Sequence, residues 1–192
     1  MNPAPSAPPA ERPKIAVIGA GAAGRTFALA CALAGYTVVV EDVMPSNLRH
    51  AEAEFAAFGK DVDLALTVED AVREADLVVD FVPDELESKL EIFSMVDRMA
   101  PPRTVMCTPS AVLSITDLAS CTYRPERCLM VRGLLNGAAG ERLRLLYAEG
   151  VAVESVGMVT QVFVNLGYAI QAQPDPDLPM LMKNMGYAPT RS

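Results

Sequence analysis

The chain has 192 residues and a mass of 20.5 kDa, which suits one α/β domain of ordinary size. Hydrophobic residues make up 51% and charged residues 21% of the chain, so a sizeable core can form and wholesale disorder is excluded. Lys and Arg total 16 against 24 Asp and Glu, and the resulting net charge of −8 repels a polyphosphate backbone. We therefore expect no nucleic-acid partner. Because His50 is the one histidine, a His-rich metal site is excluded, and we expect no metal.

The four cysteines are Cys31, Cys107, Cys121 and Cys128, and no two of them have the CxxC spacing of a zinc or redox motif. Each has apolar neighbours, so we expect buried free thiols and a reducing, cytoplasmic location. The first residues lack the pattern of a signal peptide, and no apolar run reaches the roughly 18–20 residues that span a bilayer. We therefore expect no membrane partner.

Residues 1–13 contain five prolines and predict a disordered tail. From residue 14 onward, apolar runs of strand length alternate with helical patterns. The predicted strands are 14–19, 37–41, 62–66, 77–82, 104–107, 128–131, 151–154 and 168–171. The predicted helices are 22–34, 45–58, 68–74, 85–99, 114–119, 140–149 and 159–166. This alternation predicts a single α/β domain over 14–173, with a Rossmann-type doubly wound, mainly parallel sheet. Residues 174–192 form a predicted tail, in which the spacing of Met180, Met182 and Met185 allows a short docking helix.

A glycine-rich motif, GxGxxG, lies directly after the first predicted strand and opens the first predicted helix, which is the context that dinucleotide binding requires. The first glycine permits a tight turn, the second lets a diphosphate approach the backbone, and the third lets the helix pack on the strand. The amides of the turn and the helix dipole then hold the anion. The candidate cofactor residues of this turn are Gly19, Ala20, Gly21, Ala22, Ala23 and Gly24.

The second predicted strand ends in two acids, Glu41 and Asp42. An acid at this point accepts hydrogen bonds from the adenosine ribose, and its charge repels the extra phosphate of NADP. We assign this role to Asp42, with Glu41 as its competitor, and expect NAD as the cofactor. The alternative is a glycine turn without a ligand and an acidic strand end that faces water.

Four further segments carry a family resemblance: AGYTVVVEDV at 34–43, ADLVVDFVPDELESKLEIF at 75–93, APPRTVMCTPSAVLSIT at 100–116 and RPER at 124–127. With the turn, they resemble the NAD-binding domain of the 3-hydroxyacyl-CoA dehydrogenase family, over about residues 14–131. The family's C-terminal helical domain has no counterpart in the sequence.

The resemblance implies positions for the nicotinamide half of the cofactor. It places Val82, Pro83 and Asp84 against the nicotinamide ribose and Lys89 near the cofactor. The alternative for Lys89 is a solvated charge on a helix face.

The family's proton-transfer pair is replaced in this chain. The family uses a histidine as the proton acceptor and a glutamate that orients it. Arg132 stands in place of the histidine, and the glutamate position falls near Arg144 in an ungapped comparison, with Glu141 and Glu149 as the nearest carboxylates. Because arginine stays charged, it cannot serve as an ordinary general base. No catalytic residue is therefore assigned.

The family's TNTSS loop is also changed, because its asparagine is replaced by Pro109 and its substrate-contacting serine by Ala111. Ser110 keeps a hydroxyl one residue away. We take Ser110 and Arg132 as candidate substrate residues, since an arginine fork suits a carboxylate or phosphate. The alternative for Arg132 is a plain surface arginine.

These observations predict an NAD(H)-dependent oxidoreductase acting on a CH–OH or ketone group of a small-molecule substrate, either an acyl-CoA or a hydroxy acid. A homodimer would cover the apolar face that the helical domain covers in the family. The altered proton-transfer residues favour a different function, a non-catalytic NAD-binding module that acts as a redox sensor or as a subunit of a larger complex. A fold kept only for protein contacts is the third alternative.

Overall fold

One mainly parallel sheet of eight strands organises the chain, in the order β3-β2-β1-β4-β5-β6-β7-β8. The computed structural model describes residues 12–135 and 140–177. The strands are β1 Ile15–Ile18, β2 Val38–Glu41, β3 Asp63–Ala65, β4 Leu77–Asp80, β5 Val105–Pro109, β6 Cys128–Arg132, β7 Arg142–Tyr147 and β8 Ala169–Pro174. The helices are α1 Ala22–Leu33, α2 Pro45–Ala57, α3 Val68–Val72, α4 Leu86–Met99, α5 Ile115–Ser120 and α6 Val153–Asn165, with a 3-10 turn at Pro125–Arg127.

All neighbouring strands pair in parallel except β6 and β7, which run antiparallel. The predicted Rossmann-type doubly wound fold in a single domain is confirmed. The carboxyl ends of β1, β2, β4, β5 and β6 therefore meet at one edge of the sheet, where ligands bind in such folds. Most of the predicted proline-rich tail (1–11) and the methionines considered for a docking helix lie outside the described residues.

Helices cover both faces of the sheet, because its central strands are apolar on both sides. The layer formed by α1, α2 and α6 includes Phe27 and Phe163, whose ring centroids lie 5.4 Å apart. The opposite layer contains α3, α4 and α5 and includes Phe93 and Ile115. In β1, Val17 faces the first layer and Ile18 the second, as strand alternation requires.

The predictions for 140–149 and 151–154 are wrong. Residues expected to form a helix make β7 instead, and Val153 and Glu154 begin α6 rather than belong to a strand. Along β7 the arginines and leucines alternate as exposed and buried residues, which is the period of a half-covered strand. Val151 and Ala152 form the short lead into α6, after Gly150 at a φ of 83°.

Three of the four thiols are buried, but Cys121 is exposed at the end of α5, so the prediction that all four are buried is wrong there. Burial raises the pKa of the Cys31 and Cys107 thiols and raises that of Cys128 to about 12. Within 12–135 and 140–177, none of the helices is both long and apolar enough to traverse a lipid bilayer.

Candidate dinucleotide-binding site

The turn between β1 and α1 is shaped by its glycines. Gly19 has a φ of 96°, and a Cβ there would lie 3.2 Å from the carbonyl carbon and oxygen of Phe81. A Cβ on Gly24 would lie 1.9 Å from the carbonyl oxygen of Gly19, so α1 packs on the turn at a distance that only glycine allows. Gly21 differs, because a Cβ there would meet nothing within 4 Å. The turn is therefore closely packed at Gly19 and Gly24 and open at Gly21. The open side leaves room for a diphosphate to approach the backbone.

The amides at the start of α1 are available for an anion. Gly21, at the N-cap of α1, supplies no capping side chain, and the first helical amides lack partners within the helix. Gly21, Ala22 and Ala23 are exposed, so these amides face solvent at the positive end of a helix of 12 residues. By contrast, Thr67 and Ser114 cap α3 and α5 with their side chains. The N-terminus of α1 thus fits a diphosphate.

Asp42 lies beside this turn and points into it rather than into solvent. Its Oδ2 accepts hydrogen bonds from the Ala20 amide at 2.8 Å and from Asn47 Nδ2 at 3.0 Å, and its Oδ1 accepts one from the Met44 amide at 2.8 Å. The side chain is largely buried. The start of α2 and the glycine turn therefore hold the carboxylate in place, with acceptor capacity left at Oδ1. Asn47 is a contributor that sequence reasoning missed.

Glu41 lies on the other side of this strand end. Its neighbour Val40 packs into the layer of α1, so strand alternation directs Glu41 toward the layer of α3. The residue is 3% exposed. Burial, followed by the charge of Asp42, raises the pKa of Glu41 to about 7. This placement favours Asp42 over Glu41 for the ribose.

Arg25 braces the turn and was not singled out from the sequence. Its Nη1 donates to the Ala20 carbonyl at 2.8 Å, and its Nε pairs with Glu54 Oε1 of α2 at 2.9 Å. The guanidinium thereby joins α1, the turn and α2. In the sequence, the position of Arg25 directly after the last glycine of the motif is the one feature that could have indicated this role, and it is a weak signal.

The loop that follows β4 begins beside the glycine turn. Contact of Val82, Pro83 and Asp84 with the nicotinamide ribose stays a prediction. The Phe81 amide donates to the Ile18 carbonyl at 2.7 Å, which holds the start of this loop beside β1. Asp84 Oδ2 accepts a hydrogen bond from the Ala111 amide at 2.9 Å. The loops after β4 and β5 are therefore tied together at the carboxyl edge of the sheet.

Lys89 is buried, so the alternative of a solvated charge is wrong. Its Nζ lies 2.6 Å from Asp80 Oδ1 at the end of β4, and the two side chains are 1% and 2% exposed. Burial raises the pKa of the Asp80 carboxyl although the ammonium faces it. Lys89, the Thr108 hydroxyl and the Val82 amide act against this rise, because each stabilises the ionised carboxylate. Contact between Lys89 and a bound cofactor stays a prediction.

The two candidate substrate residues are joined to each other. Ser110 Oγ accepts hydrogen bonds from the Val112 and Leu113 amides at 3.3 and 3.0 Å. Arg132 donates through Nε to the Ser110 carbonyl at 3.3 Å and through Nη2 to the Leu113 carbonyl at 2.6 Å. Its Nη2 also lies 2.9 Å from Asp177 Oδ2, and its side chain is 12% exposed. Arg132 is therefore not a plain surface arginine, and a substrate role for it stays a prediction.

The register of β6 and β7 fixes the positions of Arg132 and Arg144 relative to each other. Arg132 lies directly opposite Arg144 in this antiparallel pair. Glu149 follows the far end of β7, whose Tyr147 lies opposite Leu129, so it cannot be the partner of residue 132. That these two arginines replace the family's histidine and glutamate stays a prediction.

The glycine turn, the open amides of α1 and the inward acid define a dinucleotide-binding Rossmann domain. Residues 14–132 match the family model described as 3-hydroxyacyl-CoA dehydrogenase, NAD binding domain. The chain belongs to this family, and the cofactor of its domain is NAD, as predicted.

Three relatives illustrate the similarity. A probable 3-hydroxybutyryl-CoA dehydrogenase of Bacillus subtilis (strain 168) is 28% identical over 134 residues, which cover 60% of this chain and 46% of that protein. A 5-formyl-3-hydroxy-2-methylpyridine 4-carboxylate 5-dehydrogenase of Mesorhizobium japonicum is 24% identical over 168 residues, which cover 80% and 54%. The crystal structure of a 3-hydroxyacyl-CoA dehydrogenase from Archaeoglobus fulgidus superposes with a TM-score of 0.75 and 25% identity, covering 91% of this chain and 61% of that one. The chain spans about half the length of the curated relatives.

Proposed function

We propose that this protein is an NAD(H)-dependent oxidoreductase that acts on a hydroxyl or ketone group of a small molecule. The observation that carries the proposal is the turn itself: open space above Gly21, exposed amides at the start of α1, and Asp42 held beside them. The start of α1 suits the diphosphate of an adenosine diphosphate group, and the nearby carboxylate of Asp42 suits its ribose.

Each of these groups has a role in holding the cofactor. The amides of Gly21, Ala22 and Ala23 bind the diphosphate, and Asp42 accepts a hydrogen bond from the adenosine ribose. The charge of Asp42 disfavours the extra phosphate of NADP. The loops after β4 and β5, which Asp84 ties together, flank the nicotinamide half. The bound nicotinamide supplies the hydride exchange.

The substrate proposals rest on the relatives. Their names specify an acyl-CoA for one and a pyridine carboxylate for another, and both are compounds with a hydroxyl or carbonyl group. We propose an acyl-CoA or a hydroxy acid for this chain, and we propose that it acts as a cytoplasmic homodimer.

The Arg132–Arg144 pair supports a second candidate, a non-catalytic NAD-binding module. An arginine cannot accept the hydroxyl proton that leaves with the hydride. In this function the protein would bind NAD(H) and report its redox state or serve a catalytic partner, with no turnover of its own.

Calorimetry with NADH and NADPH, followed by NADH oxidation with short 3-ketoacyl-CoA esters and 3-oxo acids, tests both functions. We expect NADH to bind and NADPH to bind more weakly. Turnover supports the oxidoreductase, whereas binding without turnover supports the module. If neither nucleotide binds, both proposals are wrong.

The variant R132H/R144E restores the family's residue types at the two opposed positions. If the wild-type chain is inactive and this variant oxidises NADH, the missing proton acceptor is the cause. The single variant R144E is the matched control, because it lacks the histidine and should stay inactive.

A further inference from the structure

Arg132 and Arg144 form a pair of like charges at the carboxyl end of β6. They are directly opposed in the antiparallel register, so their side chains leave the sheet on the same face. The next opposed pair on this face is Met130 and Leu146, which lies in the layer of α3, α4 and α5. Like charges directly opposite one another destabilise a sheet unless an anion lies between them.

The helices leave this end of the face uncovered. Arg142 and Arg144 are exposed, and in the ranges that the structure describes neither makes an ion pair or a side-chain hydrogen bond. A shallow groove runs along β7 and β8 here, and Arg142, Arg144 and Gln171 belong to its lining, whereas Arg132 lies beside the groove rather than in its lining. Because Gln171 lies opposite Arg144 in β8, the three polar side chains of Arg132, Arg144 and Gln171 form one row across three strands.

A carboxylate of the chain itself already binds at one end of this row. Asp177 Oδ2 lies 2.9 Å from Arg132 Nη2. Asp175 anchors the segment, because its Oδ2 accepts hydrogen bonds from Ser114 Oγ at 2.7 Å and from the Thr116 amide at 3.0 Å. Among the described residues, Arg144 has no such partner, so this part of the row presents more positive charge than Asp177 neutralises.

The row also lies next to the nicotinamide end of the proposed cofactor site. Arg132 donates to the carbonyls of Ser110 and Leu113 in the loop after β5, and Ala111 of the same loop donates to Asp84. A ligand held by the row is therefore close to the loops that would flank the nicotinamide.

We propose that Arg132, Arg144 and Gln171 form a carboxylate-binding site that holds the acid group of a small oxo or hydroxy acid, with Asp177 as an internal competitor. The site anchors the substrate and removes no proton, because its arginines stay charged. Its position as a substrate site rests on the function proposed above, but carboxylate binding itself does not.

Titration of the full chain with acetoacetate tests this site, with acetone as the analogue that lacks the acid group. We expect saturable binding of acetoacetate and none of acetone. R144Q should weaken acetoacetate binding by about tenfold, the loss of one charge-assisted contact, and leave the affinity for NADH unchanged. D177N should strengthen acetoacetate binding, because the internal carboxylate is removed. R73Q, which alters an exposed arginine directly after α3, is the matched control and should change neither affinity.

Three outcomes separate the possibilities. If acetoacetate fails to bind the wild-type chain and D177N, or binds R144Q as well as it binds the wild type, the proposal is wrong. If inorganic phosphate binds with the same dependence on Arg144 and acetoacetate does not, the carboxylate assignment is wrong. If acetoacetate binds as expected but NADH does not, the carboxylate site stands and the proposed oxidoreductase fails.

Discussion

Gly21 and Gly24 lie three residues apart in the same turn, but the space around them differs. Gly24 contacts the backbone of Gly19, whereas Gly21 faces an opening. The first arrangement serves the fold, because α1 must approach β1 closely. The second leaves room for a ligand, so substitutions at the two positions separate stability from binding.

Adding one methyl group at each glycine tests this separation. G24A should lower the free energy of unfolding by about 2–3 kcal/mol, because its Cβ must displace packed backbone. G21A should keep the melting temperature and weaken NADH binding by about tenfold, because its methyl group projects toward the diphosphate. Thermal unfolding and calorimetry measure the two effects. Unchanged NADH affinity in G21A would place the diphosphate elsewhere.

Glu41 is expected to make stability depend on pH. Its pKa is about 7 in the folded chain against 4.5 for an unperturbed glutamate, so the folded state holds this proton more tightly than the unfolded state. The contribution of Glu41 to stability is therefore greatest below pH 4.5, declines between pH 4.5 and about 7, and is constant above that window.

The variant E41Q removes this titration and keeps the shape of the side chain. Relative to the wild type, E41Q should be about 2 kcal/mol more stable at about pH 8 and nearly equally stable at about pH 5. The reason is that the wild type carries a buried charge on Glu41 at the higher pH and a largely protonated carboxyl group at the lower pH, whereas the glutamine is neutral at both. Urea unfolding at both pH values measures the difference. An equal difference at the two pH values would mean that Glu41 does not titrate between them.

At the scale of elements, Arg124 joins α4 to the turn before β6. Its Nε pairs with Asp97 Oδ1 at 2.9 Å, and its Nη1 and Nη2 donate to the carbonyls of Pro101 and Asp97 at 2.5 and 2.6 Å. The side chains of Arg124 and Asp97 are 12% and 3% exposed. One guanidinium thus binds a carbonyl of the last turn of α4 and the carboxylate of Asp97, which also accepts a hydrogen bond from the Tyr123 amide at 2.7 Å.

R124Q should lower the free energy of unfolding by about 3 kcal/mol, because the buried Asp97 charge loses its cation and keeps only the Tyr123 amide. The matched control is R73Q, which breaks the exposed ion pair with Asp70 and should cost less than about 1 kcal/mol. Urea unfolding compares the two variants. If R124Q and R73Q lost the same free energy of unfolding, the contacts of Arg124 would stabilise the fold no more than an exposed ion pair does.

The elements up to residue 132 could be predicted because the chain marks their ends. Gly35 and Pro45, for example, punctuate the segments around β2 and α2. The strand β7 could not be predicted, because the spacing of its leucines is compatible with a helix as well as with a strand. Its strand conformation depends on pairing with β6.

The residues of the candidate site differ in the same way in how far the sequence predicts them. The glycine turn is local, whereas the contacts of Arg132 with Asp177 and of Lys89 with Asp80 arise from tertiary packing.

At the scale of the whole molecule, the sheet separates two apolar layers that each contain a buried thiol. Cys31 and Cys107 belong to the layer of α1, α2 and α6, and Cys128 belongs to the opposite layer. Burial raises the pKa of all three thiols. Only the exposed thiol of Cys121 can react in the native state, because reaction requires an accessible thiolate.

A thiol reagent should therefore modify one cysteine of the native protein rapidly and all four after unfolding. The reaction rates of the three buried thiols, Cys31, Cys107 and Cys128, measure how often each layer opens to solvent. If the sheet and both layers unfold as one cooperative unit, Cys31, Cys107 and Cys128 give the same opening free energy, and saturating NADH slows all three reactions together. C121S removes the fast reaction and serves as the control. A faster reaction at Cys128 alone would instead show that the layer of α3, α4 and α5 opens independently of the layer that carries the glycine turn.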